Sequence, residues 1–447
     1  MQWLNRIFAP NVPFRPASFP FFYGWVIIAA GTASMLFSLP GQTAGLGPFK
    51  EHLMAALDVT SWQLSVTYMI GTVVSGLFLP TIGGVFDRIG VRKVGVAASI
   101  ALGLALIVIS QLDRILRFFA GGTPLWLSLP AVTLTFFAIR FWGQGVFSII
   151  SRIMIGKWFD RKRGLASAIS GVPVAIAFTC ALLTLYYIMQ WLGGWRQAWM
   201  GIGLFLVSFG AFFCWLVFRD NPEECGLEID GGSGPANEKD NDPEFAIHKD
   251  FTAPEALRTF AFWVFAAYIG LNGFIGTALG FHAPSLSAEL GMTEHDLYRI
   301  FAKTIFINIP ASFVIGWMTG RFRLKYSYLL ASSSMGFGMY GFTQLGTTFG
   351  EILYVVGTGI SWGAFGTLLT VTWPRYYGRR HLGKISSWVA MIMVISSALG
   401  PVFFDLSEIT TSGYMPAVFV GVALSFVLFF LCLNIVNPQR KLAPKGD

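Results

Sequence analysis

Apolar runs of about 20 residues recur along this chain of 447 residues. A run of that length crosses the hydrocarbon core of a bilayer as an α-helix. Only 12% of the residues are charged, whereas a soluble domain has about a quarter. The sequence therefore predicts an all-α polytopic membrane protein with twelve transmembrane helices. These predicted helices lie near 22–44, 61–83, 92–111, 129–152, 164–190, 197–218, 259–283, 297–319, 326–346, 350–373, 384–406 and 413–436.

The chain also repeats itself in the same orientation. The string from Gly83 to Gly95, between predicted helices 2 and 3, has an echo 233 residues later that begins at Gly316. At the same offset the segment 57–60 falls on 290–293. Parallel repeats of this kind are typical of transporters, so we expect two pseudo-symmetric six-helix bundles. The predicted domains are an N-terminal bundle at 1–218, a linker at 219–258 and a C-terminal bundle with a tail at 259–447.

The net charge of +8 is explained by where the cations lie. If the N-terminus is inside, 24 of the 31 Lys and Arg residues fall in the arm, connections and tail on that side. This asymmetry follows the positive-inside rule. It predicts a multi-pass protein of the cell inner (plasma) membrane with both termini in the cytoplasm. The lipid bilayer is the expected partner, and nucleic acid is not.

The sequence offers little for enzymatic chemistry. The four cysteines have no paired spacing, which argues against a disulfide or zinc site. We find no phosphate-cradling Gly-x-x-x-x-Gly-Lys-Ser/Thr string. We therefore expect no enzyme activity, no cofactor and no metal.

Two cations fall well inside predicted helices. Arg140 lies midway along predicted helix 4, and Lys303 lies about a third of the way into predicted helix 8. Every acidic residue falls in a loop or near a helix end. Asp405, at the outer end of predicted helix 11, is the acid nearest to the middle of the membrane. Unpaired buried charges are costly and usually functional, and an anionic substrate would pair with them. The two cations predict a carboxylate-binding pocket. The alternatives are an arginine bonded to carbonyls or water and a lysine that reaches the outer interface.

Several other side chains are candidates for the same pocket. Gln42, Asn272 and His282 lie in predicted helices 1 and 7 and can hydrogen-bond to a carboxylate. His282 can also carry a proton with the substrate, because imidazole titrates near neutral pH. Trp142 and Trp362, at matching places in predicted helices 4 and 10, are candidates for the cavity wall. The alternative is helix packing for Gln42 and Asn272, and a hydrogen-bonded structural role for His282. For the two tryptophans it is a lipid-facing or core position.

The turn after predicted helix 2 is a candidate gate. Gly83 allows close helix approach, and Asp87, Arg88 and Arg92 form a charge cluster at a joint between two helices. Such a cluster can hold one closed state and open in another, so we predict a cytoplasmic latch. The second half has Gly320 where the first has Asp87. The alternative is an anchor of positive charge with a turn.

These motifs resemble a known family. The segment 83–93, GGVFDRIGVRK, is similar to the signature loop of the major facilitator superfamily. Arg140-x-x-Gly143-x-Gly145 resembles a second superfamily motif. Within the superfamily, Tyr23-Gly24-Trp25 and the segment 157–166, KWFDRKRGLA, resemble the monocarboxylate transporters and their relatives, the oxalate/formate exchangers. This chain departs from that branch where an acid often precedes Gly24, and at Arg299, where helix 8 often carries an acid.

The resemblance implies a secondary active transporter that works by alternating access. Its expected substrate is a small, monocarboxylate-like organic anion, moved by proton symport or by anion exchange. We expect it to function as a monomer, with protons as candidate co-substrates. Two alternatives remain at this point: an exporter of neutral or lipophilic small molecules, and a non-transporting membrane sensor.

Overall fold

The computed structural model describes residues 6–159, 163–232, 248–378 and 381–441. For residues 80–84, 87, 163, 164, 167, 168, 382, 383, 387 and 441 it describes the backbone only. Throughout these ranges the regular structure is helical and no β-strand occurs, as predicted. The chain divides into two compact units, Met1–Asn237 and Glu238–Asp447.

The first unit begins with an arm that lies against its own helices. Its α-helices are α1 (Gly24–Phe37), α2 (Lys50–Leu57), α3 (Ser61–Ile89), α4 (Val91–Ser110), α5 (Leu112–Ala120), α6 (Leu125–Ile139), α7 (Ser148–Trp158), α8 (Arg163–Thr179), α9 (Ala181–Leu192), α10 (Trp195–Phe205) and α11 (Ala211–Val217). Two π-helical segments, Arg140–Phe147 and Leu206–Gly210, join α6 to α7 and α10 to α11.

The second unit is also helical. Its α-helices are α12 (Ala253–Leu257), α13 (Phe260–Phe281), α14 (Ala283–Glu289), α15 (Glu294–Lys303), α16 (Ile305–Arg321), α17 (Leu324–Thr343), α18 (Thr348–Tyr377), α19 (Leu382–Thr411) and α20 (Met415–Leu433).

Most predicted transmembrane helices have a counterpart of sufficient length. In the described ranges, 10 helical segments are long and apolar enough to cross a bilayer. An eleventh results if α8 and α9, which are bent by 58° at Cys180, count as one. The remaining predicted helix is α17, which has 20 residues but contains three consecutive serines, Ser332 to Ser334. These serines lower the hydropathy of α17, so this helix is not among the segments that are apolar enough to cross a bilayer by composition.

Two predicted helices are interrupted in addition to predicted helix 5, which bends at Cys180. Predicted helix 1 ends as an α-helix at Phe37 and continues as short 3₁₀ turns to Phe49, because Pro40 and Pro48 provide no N–H for an α-helical ladder. Predicted helix 8 is divided at Thr304 into α15 and α16. The Thr304 hydroxyl donates to the Phe301 carbonyl oxygen at 2.6 Å, a local bond that competes with the helical pattern.

The sequence repeat at an offset of 233 has a local structural counterpart. Asp58 and Gly291 occupy matching positions, and both adopt left-handed backbone conformations, with φ of 54° and 67°. Two residues later, Thr60 and Thr293 each cap the following helix. Each threonine side chain accepts a hydrogen bond of 3.2 Å from the backbone N–H three residues on. The same turn therefore starts α3 in one unit and α15 in the other.

Candidate functional site

Arg140 lies where the helix of the fourth span changes its winding. α6 ends at Ile139, and the π-helical segment Arg140–Phe147 follows. π-helical turns inside α-helices are frequent at functional sites, because they re-aim side chains and leave backbone groups available. The Arg140 side chain is 1% exposed. A guanidinium is thus held in the interior of the first unit.

A close contact between two glycines positions the Arg140 side chain. A Cβ atom on Gly41 would lie 2.6 Å from the Gly143 Cα and 2.6 Å from the Ile139 carbonyl oxygen. The 3₁₀ turn Leu39–Gly41 can therefore press directly against the π-helical segment only because both residues are glycine. At this contact, Arg140 Nη1 donates to the Gly41 carbonyl oxygen at 2.9 Å. This explains Gly143 of the Arg140-x-x-Gly143 motif.

The rest of the Arg140 guanidinium has an unusual environment. Its Cζ lies 5.2 Å from the centre of the Tyr68 ring, a cation–π distance. The Tyr68 hydroxyl is 2.7 Å from Thr43 Oγ1. Among the described residues, the buried Nε and Nη2 atoms have no hydrogen-bond partner. An unsatisfied buried donor costs about 1–3 kcal/mol, and more on a charged group, so this edge of the guanidinium is suited to an anion.

Gln42 and Trp142 lie beside this contact. Gln42 directly follows Gly41, and its Nε2 donates to Ser38 Oγ at 3.1 Å. Trp142 is half-buried within the π-helical segment, with its ring 5.0 Å from that of Phe141. The structure places both next to the contact between Gly41 and Gly143, and both remain predicted substrate contacts.

Lys303 differs from the sequence-based expectation. Its Nζ lies 2.5 Å from Glu351 Oε1, and its side chain is 45% exposed. The expectation that no carboxylate pairs with this cation was wrong. α15 ends at Lys303, and α18 begins at Thr348 with Glu351 in its first turn. The two helix ends thus place the charges together. Its role in substrate binding stays a prediction.

Asn272 and Trp362 lie at the contact between α13 and α18. Asn272 is buried, with Nδ2 donating to the Tyr268 carbonyl oxygen at 3.1 Å and Oδ1 accepting from Ser361 Oγ at 3.1 Å. A Cβ atom on Gly276, one turn from Asn272, would lie 2.5 Å from the Trp362 ring. Trp362 is 37% exposed. The sequence missed Ser361 as the partner of Asn272.

His282 forms a buried pair with Asp405. The two side chains are 0% and 1% exposed, and His282 Nε2 lies 3.8 Å from Asp405 Oδ2. The same Nε2 donates to the Pro401 carbonyl oxygen at 3.0 Å. The Tyr414 ring packs 4.9 Å from the imidazole, and the Glu289 carboxylate accepts from the Tyr414 N–H at 2.8 Å. Helix ends of α13, α14, α19 and α20 meet here.

The predicted latch residues fall into three groups. Gly83 and Asp87 are part of α3, but what surrounds them lies outside the described residues. Arg88 is exposed at the end of α3. Arg92 is 2% exposed and donates to backbone carbonyl oxygens of Trp215, Ala9 and Val12 at 2.6–2.9 Å. Arg92 therefore holds the N-terminal arm against the ends of α4 and α11.

A residue that sequence reasoning missed, Asp220, completes this joint. Its carboxylate accepts from the Val91 N–H at the start of α4, as a capping side chain does. Gly90 has φ of +88°, and a Cβ atom there would lie 2.6 Å from Asp220 Oδ2. Burial raises the pKa of the Asp220 carboxyl above its ordinary value. Gly90 of the signature loop is thus needed both for its conformation and for the approach of this carboxylate.

Sequence reasoning also missed Tyr68 and Thr43. Tyr68 falls inside predicted helix 2 and is fully buried. A buried tyrosine hydroxyl usually finds a partner, and a tyrosine inside an apolar run is the signal that the sequence analysis did not use. The identity of that partner depends on the 3₁₀ turns after α1, which the sequence did not predict.

The sequence model described as Major Facilitator Superfamily matches residues 26–401. No curated protein sequence matches the chain significantly. Among solved structures, the fold is similar to the xylose transporter XylE from E. coli (TM-score 0.65, 14% identity, 93% of this chain and 98% of that one). For a bacterial homologue of the human lysosomal transporter Spinster the TM-score is 0.63 at 14% identity, over 95% of this chain and 98% of that one. For the nucleoside transporter NupG the TM-score is 0.61 at 12% identity, over 91% of this chain and 98% of that one. At these identities the likeness shows the fold.

Proposed function

This chain belongs to the major facilitator superfamily and is a multi-pass membrane transporter, not an enzyme, and we propose that it carries small organic anions. The proposed anion is monocarboxylate-like, and Arg140 is the proposed carboxylate-binding group. Transport proceeds by alternating access, as the superfamily resemblance implies. Gln42 and Trp142 are the proposed neighbours of the bound anion in the first unit.

One observation carries this proposal. Arg140 Nη1 is occupied by the Gly41 carbonyl, whereas Nε and Nη2 are buried without a described partner. Nε and Nη2 lie on the same edge of the guanidinium, and two parallel N–H donors on one edge match the two oxygens of a carboxylate. The bond to Gly41 fixes the orientation of this edge before a substrate arrives.

Charge favours an anion over a neutral substrate. A guanidinium keeps its proton in proteins, and a buried charge without a counter-charge costs several kcal/mol. A neutral sugar or nucleoside supplies hydrogen-bond acceptors but no counter-charge. A carboxylate supplies both, so it gains more from the same site.

The pair of His282 and Asp405 supports proton symport as the form of coupling. Imidazole is the side chain that titrates nearest neutral pH, and here it is buried 3.8 Å from a carboxylate oxygen. Two more titratable groups lie near the pair: Tyr414, whose ring packs against the imidazole, and Glu289, one hydrogen bond further. The pair can hold a proton in one state of the transporter and release it in another. Anion exchange has no need for such a pair.

A ligand screen by thermal stability tests the proposed substrate class. A ligand that binds only the folded state raises the unfolding temperature, by an amount equivalent to about 2.7 kcal/mol at 100 times its dissociation constant. We expect lactate, pyruvate, formate or oxalate to raise this temperature in the purified protein. Xylose and uridine serve as neutral comparisons. A shift with a neutral compound and none with any carboxylate would contradict the proposal.

A further inference from the structure

Four cationic side chains surround a cavity at one end of the second unit. The cavity has a volume of about 100 Å³, and Arg323, Lys325, Arg375 and Arg440 line it. None of the described lining residues is Asp or Glu. One water molecule needs roughly 10–15 Å³ by the same measure. The cavity therefore has room for a group of several atoms, and its charge selects an anion.

Three separate parts of the chain supply these cations. Arg323 and Lys325 flank the first residue of α17, whereas Arg375 belongs to the last turn of α18. Arg375 also donates to the carbonyl oxygens of Thr319 and Phe322, so the fold fixes its position. Such convergence differs from a run of basic residues along one loop, which would satisfy the positive-inside rule without enclosing any space.

The turn that carries the fourth cation, Arg440, is held in place by a buried glutamine. Gln439 is 2% exposed, and its Nε2 donates to the carbonyl oxygens of Tyr376 and Lys249 at 3.1 and 2.8 Å. Its Oε1 accepts from the N–H groups of His248 and Lys249. These bonds hold the turn Pro438–Lys441 against the end of α18. Arg440 is therefore part of an anchored wall.

The start of α17 adds to the attraction for an anion. Leu324 and Lys325, the first two residues of this 20-residue helix, line the cavity. The residue before them, Arg323, makes no side-chain capping bond. The first N–H groups of a helix and its dipole favour negative charge, and phosphate groups bind at such ends.

From this geometry we propose that the cavity is a binding site for a phosphate group. Ile435 and Val436 form an apolar part of the lining, and Val436 is 57% exposed. The site lies where spanning helices end, on the side that the charge distribution predicts to be cytoplasmic. Basic pockets in this position bind the headgroups of anionic lipids. A phospholipid headgroup matches both the cations and the apolar rim, whereas free phosphate matches the cations alone.

Thermal unfolding of the purified full-length protein tests this site. The probes are phosphatidylglycerol against phosphatidylcholine, and inorganic phosphate against chloride at equal ionic strength. Three proteins are compared: the wild type, the pocket variant Arg323→Gln/Arg440→Gln, and the control Arg114→Gln/Arg117→Gln, which removes two exposed arginines from the first unit. If the pocket variant unfolds during purification, Lys325→Gln replaces it. Native mass spectrometry counts the phosphatidylglycerol molecules that each protein retains.

We expect phosphatidylglycerol to raise the unfolding temperature of the wild type and the control by several degrees more than phosphatidylcholine does. The pocket variant should lose at least half of that difference and retain at least one lipid fewer. If inorganic phosphate produces a shift that the pocket variant also loses, the site binds a phosphate group that free phosphate can supply. Equal shifts in the pocket variant and the control, or no shift with either phosphate-bearing probe, would overturn the proposal.

Discussion

Arg140 donates from Nη1 to the carbonyl oxygen of Gly41 at 2.9 Å. This bond joins the turn after α1 to the π-helical segment after α6. It leaves the Nε and Nη2 edge of a fully buried guanidinium without a described partner. The close contact of Gly41 with Gly143 and the π-helical winding at Arg140 together orient the edge that we propose binds the substrate.

Replacing Gly143 with alanine should disturb this site through packing alone. The new Cβ atom would lie 2.6 Å from the Gly41 Cα, and overpacking of this kind costs about 1–3 kcal/mol. We expect a lower unfolding temperature and a smaller shift with the best carboxylate. Gly171→Ala in α8 is the matched control, because a Cβ there meets nothing within 4 Å. Equal behaviour of the two variants would show that the glycine contact does not position Arg140.

Arg92→Gln should release the N-terminal arm. The substitution removes the guanidinium that bonds the carbonyls of Ala9, Val12 and Trp215, and each hydrogen bond to a charged group contributes about 1.5–3 kcal/mol. Limited proteolysis should cleave the arm faster than in the wild type. The exposed Arg88→Gln is the control. If the arm stays protected in Arg92→Gln and only transport slows, Arg92 acts as a latch and not as an anchor.

The capping box of α12 should weaken in acid. The hydrogen bond from Lys249, followed by those from Thr252, lowers the pKa of Glu255 from 4.5 to about 2. A carboxyl whose folded pKa lies below its unfolded value stabilises the structure above the unfolded value, and loses that effect as pH falls towards the folded one. We therefore expect Glu255→Gln to speed amide hydrogen exchange in α12 at pH 6. This difference from the wild type should shrink between pH 4.5 and about 2, and a constant difference would contradict the assignment.

Asp405→Asn should separate proton coupling from substrate binding. In reconstituted vesicles we expect uptake driven by a pH gradient to fall at least about tenfold, because the proton-carrying pair with His282 is lost. Exchange of labelled for unlabelled substrate at equal pH should persist. Asp113→Asn, which breaks the pair with Arg196 in the first unit, controls for the loss of a buried acid. Gradient-driven uptake that survives in Asp405→Asn would remove this pair from coupling.

The sequence predicted the fold well because the bilayer leaves few choices. An apolar run of about 20 residues buries its backbone polar groups only as a helix, so run lengths located the spans. The sequence repeat also aligned Asp58 with Gly291, and the structure shows that both adopt a left-handed conformation before their capping threonines. The 3₁₀ turns after Phe37 and the break at Thr304 were not predicted, because hydropathy does not report backbone hydrogen bonding.

The candidate site was predicted only in part. Arg140 stood out as a charge inside an apolar run, and the structure buries it. Its contacts with Gly41 and Tyr68 depend on turns whose geometry no periodicity encodes. The ion pair of Lys303 with Glu351 was missed because it depends on where two helices begin and end, and sequence-based boundaries are uncertain by several residues.

Uptake by Arg140 variants tests the central claim most directly. The measurement is the initial rate of uptake of the labelled carboxylate that stabilises the wild type best, in vesicles containing wild type, Arg140→Lys, Arg140→Gln or the surface control Arg114→Gln. We expect Arg114→Gln to match the wild type, Arg140→Lys to be at least about tenfold slower because lysine lacks the paired donors, and Arg140→Gln to be inactive while still folded. Uptake by folded Arg140→Gln at the wild-type rate would contradict the account.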